Sequence, residues 1–187
     1  MAHPLPPYLL SCYGALERAG GTIGDALAEF DEDVEDPSVA VAAVRAALGG
    51  CWQPFWTHCL LLEEGAVHPL LGRCGLDAVS TVGTLQQHHQ ELLRAVVRTV
   101  PSAKPDLATM LGSARIVRAQ LRVHLSQVDS KLRPLIERCV DARQRAALNE
   151  ELATRATMTI TAPPLDEVWA RRAVAGSAPL RSGSAAP

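Results

Sequence analysis

Two stretches of this chain interrupt apolar runs with side chains able to hold a cation or move a proton. CLLLEEGAVHPLL, beginning at Cys59, carries a thiol and the paired carboxylates Glu63 and Glu64, while HLSQVDSKLRPLI, beginning at His124, carries an imidazole and Asp129. The two align without a gap at an offset of 65 residues. Pro69 falls on Pro134, Leu70 on Leu135, Leu71 on Ile136, Arg73 on Arg138 and Cys74 on Cys139, with Glu63 and Glu64 on Val128 and Asp129. This pattern predicts one helical device used twice.

Cys59 and Glu63 stand four residues apart, about 40° around a helix axis, so both can address one point. Glu63 follows Leu60, Leu61 and Leu62, which predicts a buried carboxylate. The adjacent His88 and His89 differ by about 100°, so one of them faces inward, and His89 fits the apolar face of its segment better. His124 lies among Leu121, Val123, Leu125 and Val128. Asp129, about 140° further round, would reach only a group lying beside that helix. Imidazoles and carboxylates aimed inward from facing helices are the ingredients of a bundle-core metal site. Sulfur from Cys59 would shift preference away from a carboxylate-rich iron pair. The competing expectation makes His89 and His124 hydrogen-bonded core histidines, Cys59 a small buried hydrophobe, and Glu64 and Asp129 solvated charges. His68 is expected on the surface. The aromatics of CWQPFW are expected to pack in the core or to roof a small-molecule pocket one turn above Cys59.

Helices must position these groups. Apolar spacing near 3.6 predicts helices over Tyr8 to Phe30, Pro37 to Gly72, Ser80 to Val100 and Pro105 to Cys139. Asp36-Pro37 reads as an N-cap followed by a first-turn proline. Gly49-Gly50 and Pro54 are expected to bend or interrupt the second helix, and Pro69 to kink its last turn. Asp141 with Gln144 resembles a capping box opening a short helix over Ala142 to Arg155. Thr157 to Pro164 is expected extended, Asp166 to Val174 to form an amphipathic turn or two, and GSAPLRSGSAAP a disordered tail. The expected fold is all-α: an antiparallel four-helix bundle with a short extra C-terminal helix, residues 1–156 forming the bundle and 157–187 a partly disordered extension.

Composition agrees, with 48% apolar but only 4% aromatic residues in 187, a mixture rich in Ala, Leu and Val that favours helix. A net charge of −2 supplies no basic field for nucleic acid or an anionic membrane surface. Five cysteines, an odd number without a C-x-x-C pair, fit reduced thiols and a cytoplasmic location better than a disulfide framework. Neither a leader nor a membrane span is expected. The chain holds no P-loop, no G-x-G-x-x-G after a strand, no G-x-S-x-G and no H-E-x-x-H.

HLSQVD, with its following LRPLI, resembles the last ligand helix of the hemerythrin-like (HHE cation-binding) family, and LLLEEGAVHPLL resembles that family's second ligand helix. The resemblance spans about Tyr8 to Arg138 and is carried mainly by the two proline-ended segments. It implies a four-helix bundle binding non-haem iron, for oxygen- or peroxide-related chemistry or sensing, with dioxygen or another small molecule as partner. It implies Glu63 as a carboxylate ligand, His89 or His88 as the third-helix histidine, and His124 with Asp129 as the fourth-helix pair. Cys59 stands where the second helix of the family supplies histidine, with His58 beside it. Tyr13 stands where the first helix would supply another. The resemblance therefore implies a depleted centre, holding one iron or another divalent metal, completed by Cys59, His58 or Tyr13. The alternative expectation is a metal-free bundle whose core binds an organic ligand or haem, lined by His58, Cys59 and the CWQPFW aromatics.

Overall fold

The alanine- and leucine-rich segments wind into helices, and no strand occurs among the described residues. The computed structural model describes residues 5–31, 37–99, 107–157 and Ala162. The expected N-cap Asp36 and, Thr157 and Ala162 aside, the expected extended, amphipathic and tail segments of the C-terminal extension lie outside these residues.

Helix α1 (Pro7–Asp31) buries Leu9, Cys12, Tyr13, Leu16, Ile23 and Leu27, one stripe at helical spacing that continues through Gly20 and Gly21. Helix α2 (Pro37–Phe55) likewise runs unbroken through Gly49, Gly50 and Pro54. What changes is the winding. Proline removes one backbone donor and crowds the carbonyl four residues earlier, and directly after Phe55 the chain widens into a π-helical segment, π1 (Trp56–Val67). At its end the His68 N–H bonds to the Glu63 carbonyl, five residues back. An α-helical turn, α3 (His68–Leu71), then takes over with Pro69 in its first turn, where a missing N–H costs least. Gly75, at φ 105°, occupies the left-handed region open mainly to glycine and redirects the chain.

Helix α4 (Leu76–Thr99) leads to α5 (Leu107–Gln127), which also widens, into π2 (Val128–Leu132), before α6 (Arg133–Cys139). In π2 the Arg133 N–H bonds to the Val128 carbonyl, again five residues back, and Pro134 again sits in the first turn that follows. The repeat read from the sequence is thus a repeat of winding. The expected capping box opens α7 (Ala142–Thr157): the Gln144 N–H donates to Asp141 Oδ1 at 2.8 Å and the Asp141 N–H to Gln144 Oε1 at 3.0 Å.

These helices enclose one core. α1 packs on α2 and α5, α4 packs on α5, and α7 covers π1. The rods α2–π1–α3 and α5–π2–α6 meet in register, since Cys59 touches His124 and Cys74 touches Cys139, equivalent positions of the repeat. The two rods therefore run in the same direction where they meet. Trp52 packs on Phe55 and Trp56 with ring centres 6.0 and 5.5 Å apart, and Phe55 is fully buried. The CWQPFW aromatics thus fill the space between helices with one another. No helix among the described residues is long and apolar enough to cross a membrane.

Candidate metal centre

The widened turn of π1 decides which side chains reach the interior. In an α-helix residues five apart diverge by about 140°, but a helix bonded from i to i+5 brings them to one side. Cys59, Glu63 and His68 consequently all enter the core from one rod, each at 2% exposure or less. Helix α4 adds His89, and α5 adds His124 just before its own π turn, both fully buried.

Donor atoms of Cys59, Glu63, His89 and His124 all lie within 4.8 Å of one another. Glu63 spreads between the two histidines. Its Oε1 is 3.2 Å from His124 Nε2 and its Oε2 is 3.3 Å from His89 Nε2. Cys59 Sγ lies 3.7 Å from His124 Nε2. Behind His89, the Glu64 carboxylate accepts from Nδ1–H at 2.9 Å. That bond fixes the ring and leaves Nε2 as the atom facing the cluster, the carboxylate–histidine arrangement found behind metal ligands. Although close, His89 Nε2 and Glu63 Oε2 lack hydrogen-bond alignment, and both are buried without a hydrogen-bond partner. They face each other as an ion pair, and each belongs to the group of four whose ligand atoms gather within 4.8 Å. A cation there would satisfy both atoms. The chemistry of the set fits one: a thiolate, a carboxylate and two imidazoles are all recognised metal donors.

Electrostatics follow from this packing. Burial alone pushes the Cys59 thiol up, yet the adjacent His124 and His89 outweigh it and hold the thiol below its usual value. Glu63 behaves alike: burial opposes its charge, but His124 and His89 hold it well below the carboxylate range. Conversely, burial disfavours charge on the two imidazoles, while Cys59 and Glu63, with Glu64 for His89, raise His89 to about 12 and His124 to about 10. The rings thus favour charge on the thiol and the carboxylate, and these in turn favour protons on the rings.

The remaining candidates divide. Tyr13 reaches the cluster: burial first, then the nearby charges of Glu63 and Cys59, keep its phenol protonated, though its hydroxyl makes no hydrogen bond of good geometry. His88 does not join the donors. Its Nε2–H donates to the Gln120 carbonyl at 3.1 Å and its ring stacks on His124 at 6.0 Å, so it props that ring from behind. His58 is half-buried beside Cys59 and lies outside the four donors, and burial lowers it to about 4. Asp129 is not part of the cluster either. Its side chain is 67% exposed and paired with Arg133 at 2.8 Å, because the rotation from His124 carries it outward and Val128 takes the inward place.

His68 corrects the expectation of a surface residue. It is 2% exposed, lies with Nε2 3.9 Å from Glu63 Oε2, stacks on His89 at 5.5 Å, and has both ring nitrogens buried without a partner. Burial lowers it to about 4, so it is neutral. The signal that finds it is the five-residue step from Glu63, which counts only if the turn is π.

No protein family, curated protein or solved structure matches this chain. The functional reading therefore rests on the cluster itself.

Proposed function

We propose that this protein is a divergent hemerythrin-like bundle of four antiparallel rods that binds one divalent metal ion through Cys59, Glu63, His89 and His124. The observation that supports it most is the convergence of four buried donor residues within 4.8 Å, in which neither Glu63 Oε2 nor His89 Nε2, 3.3 Å apart, makes a well-formed hydrogen bond and the His89 ring is already anchored to Glu64. A thiolate and a carboxylate would neutralise a doubly charged ion, removing the cost of burying either alone. One sulfur and two imidazole nitrogens favour a borderline-soft ion, zinc or ferrous iron, over a carboxylate-rich iron pair. The resemblance supplies the reactant, dioxygen or peroxide, which a bound metal would coordinate or sense, with Cys59 as the oxidisable donor. His88 and Glu64 act through the ligands, by stacking on His124 and by orienting His89.

One observation favours a second, metal-free reading, in which the cluster is a proton-held core: Glu63 already pairs with His89 at 3.3 Å and His124 at 3.2 Å, and Cys59 Sγ lies 3.7 Å from His124. Metal analysis of protein purified without chelator, with an absorption spectrum, separates the two. One ion per chain, lost in His124→Ala and Glu63→Ala, supports the metal centre. A metal-free protein that folds normally with either substitution overturns it, and a Soret band would select haem instead. On metal addition to the stripped protein, the metal reading also requires release of about two protons, one from each imidazolium.

A further inference from the structure

Away from the buried cluster, the in-register rods bring a second pair of reactive groups together. Cys74 lies in the turn after α3, and Cys139 is the last residue of α6. Both are half-buried, unlike Cys12, Cys51 and Cys59. Cys74 Sγ lies 3.8 Å from the Cys139 carbonyl and 3.6 Å from that of Leu70. Burial, and then the neighbouring Cys139, raise the Cys74 thiol. Both residues sit where a helix has just ended, Cys74 before Gly75 at φ 105° and Cys139 before the extended Val140. Short backbone adjustment at two chain turns is easier than within a helix, and a disulfide needs its sulfurs brought to about 2.03–2.05 Å. Solvent access permits a small oxidant to reach the pair.

We propose that Cys74 and Cys139 form a redox-active dithiol that closes to an intramolecular disulfide by exchange with low-molecular-weight disulfides of the glutathione class. One cysteine thiolate attacks a sulfur of the small disulfide, whose S–S bond breaks and releases one small thiolate. The second cysteine thiolate then attacks the protein sulfur of the mixed disulfide, forming the Cys74–Cys139 bond and releasing the second small thiolate. Two cysteine thiols are oxidised by two electrons, one small disulfide is reduced to two thiols, and the two cysteine protons end on the leaving groups. This site is independent of the metal centre, whose four donors lie elsewhere on the rods.

The test incubates the full chain with glutathione disulfide and glutathione in varied ratio, quenches with acid, and reads intact mass and non-reduced peptides. The expected product weighs two hydrogens less and yields one crosslinked peptide pair containing Cys74 and Cys139. Cys74→Ser and Cys139→Ser should each instead hold one glutathione on the remaining cysteine. Wild-type protein that retains glutathione adducts, links only to other copies, or remains unreacted at ratios that oxidise an ordinary dithiol overturns the proposal. Because the wild-type product alone decides, poor folding of either serine variant leaves the test intact.

Discussion

Replacing Glu63 by glutamine keeps the shape of the side chain and removes its charge, which makes it the most direct probe of the centre. Glu63 is fully buried, and its oxygens lie 3.2 Å from His124, 3.3 Å from His89 and 3.9 Å from His68. No other carboxylate belongs to the four donors. In metal-free protein, removing one partner of a buried ion pair leaves an uncompensated charge and costs about 3–5 kcal/mol. For a domain of about 150 residues, each kcal/mol moves Tm by about 2–4 °C, so a fall of about 6–20 °C is expected. On the proposed assignment the same substitution also deletes a ligand. An ion at about 100 times its Kd stabilises a folded protein by about 2.7 kcal/mol, a gain of about 5–11 °C for wild type that Glu63→Gln should largely forfeit. Thermal melts in chelator and with saturating zinc, or ferrous iron under anaerobic conditions, measure both numbers. A variant melting within a degree or two of wild type in chelator, and gaining as much from metal, would refute both the charge balance and the ligand assignment.

Other perturbations discriminate equally well. Asp129→Ala should leave metal content unchanged and shift stability by less than about 1 kcal/mol, because its partner is an exposed Arg133; loss of metal in that variant would restore Asp129 as a ligand. Cys51, raised to about 12 by burial, keeps its proton when folded while an unfolded thiol loses it near 9, so stability falls as pH rises from about 9 to 12. Urea titrations at pH 7 and 10.5 should show a smaller alkaline loss in Cys51→Ala than in wild type, even though the variant starts less stable; equal losses would place the titrating group elsewhere. With iodoacetamide at pH 8, Cys74 and Cys139 should be labelled ahead of Cys12 and Cys51, whose burial and thiols near 12 suppress the thiolate. Peptide mapping that finds Cys12 or Cys51 labelled first would contradict the packing of α1 and α2.

The helices were largely legible because their signals are local. Asp141 and Gln144 announced the start of α7 by chemistry alone, and apolar spacing placed each long rod to within a few residues. Cys59, Glu63, His89 and His124 were legible as inward groups because each interrupts an apolar face, and that logic holds whether the turn is α or π. Residues five apart were not. Alignment with Arg133 in the repeat sent His68 to the surface, and reasoning at 3.6 residues per turn left Asp129 a chance of reaching inward, whereas the π turns bury His68 and present Val128. Nothing in the composition of Trp56–Val67 distinguishes π from α winding. The cue was structural and indirect: prolines at 69 and 134 sitting at the same place in a repeat. Which atoms of His89 point where was equally hidden, since it depends on Glu64 approaching from a different helix.

The in-register meeting of the two rods carries a consequence for how such a seam can be furnished. At two places equivalent positions lie against each other, so what stands on one rod confronts its own counterpart. Where the counterparts are alike, as at Cys74 and Cys139, two thiols of the same kind are brought together. Where they differ, as at Cys59 and His124, an acid confronts a base. A duplicated scaffold becomes chemically useful here only by being imperfectly duplicated, with the mismatched positions supplying the contrast that a faithful copy would have erased.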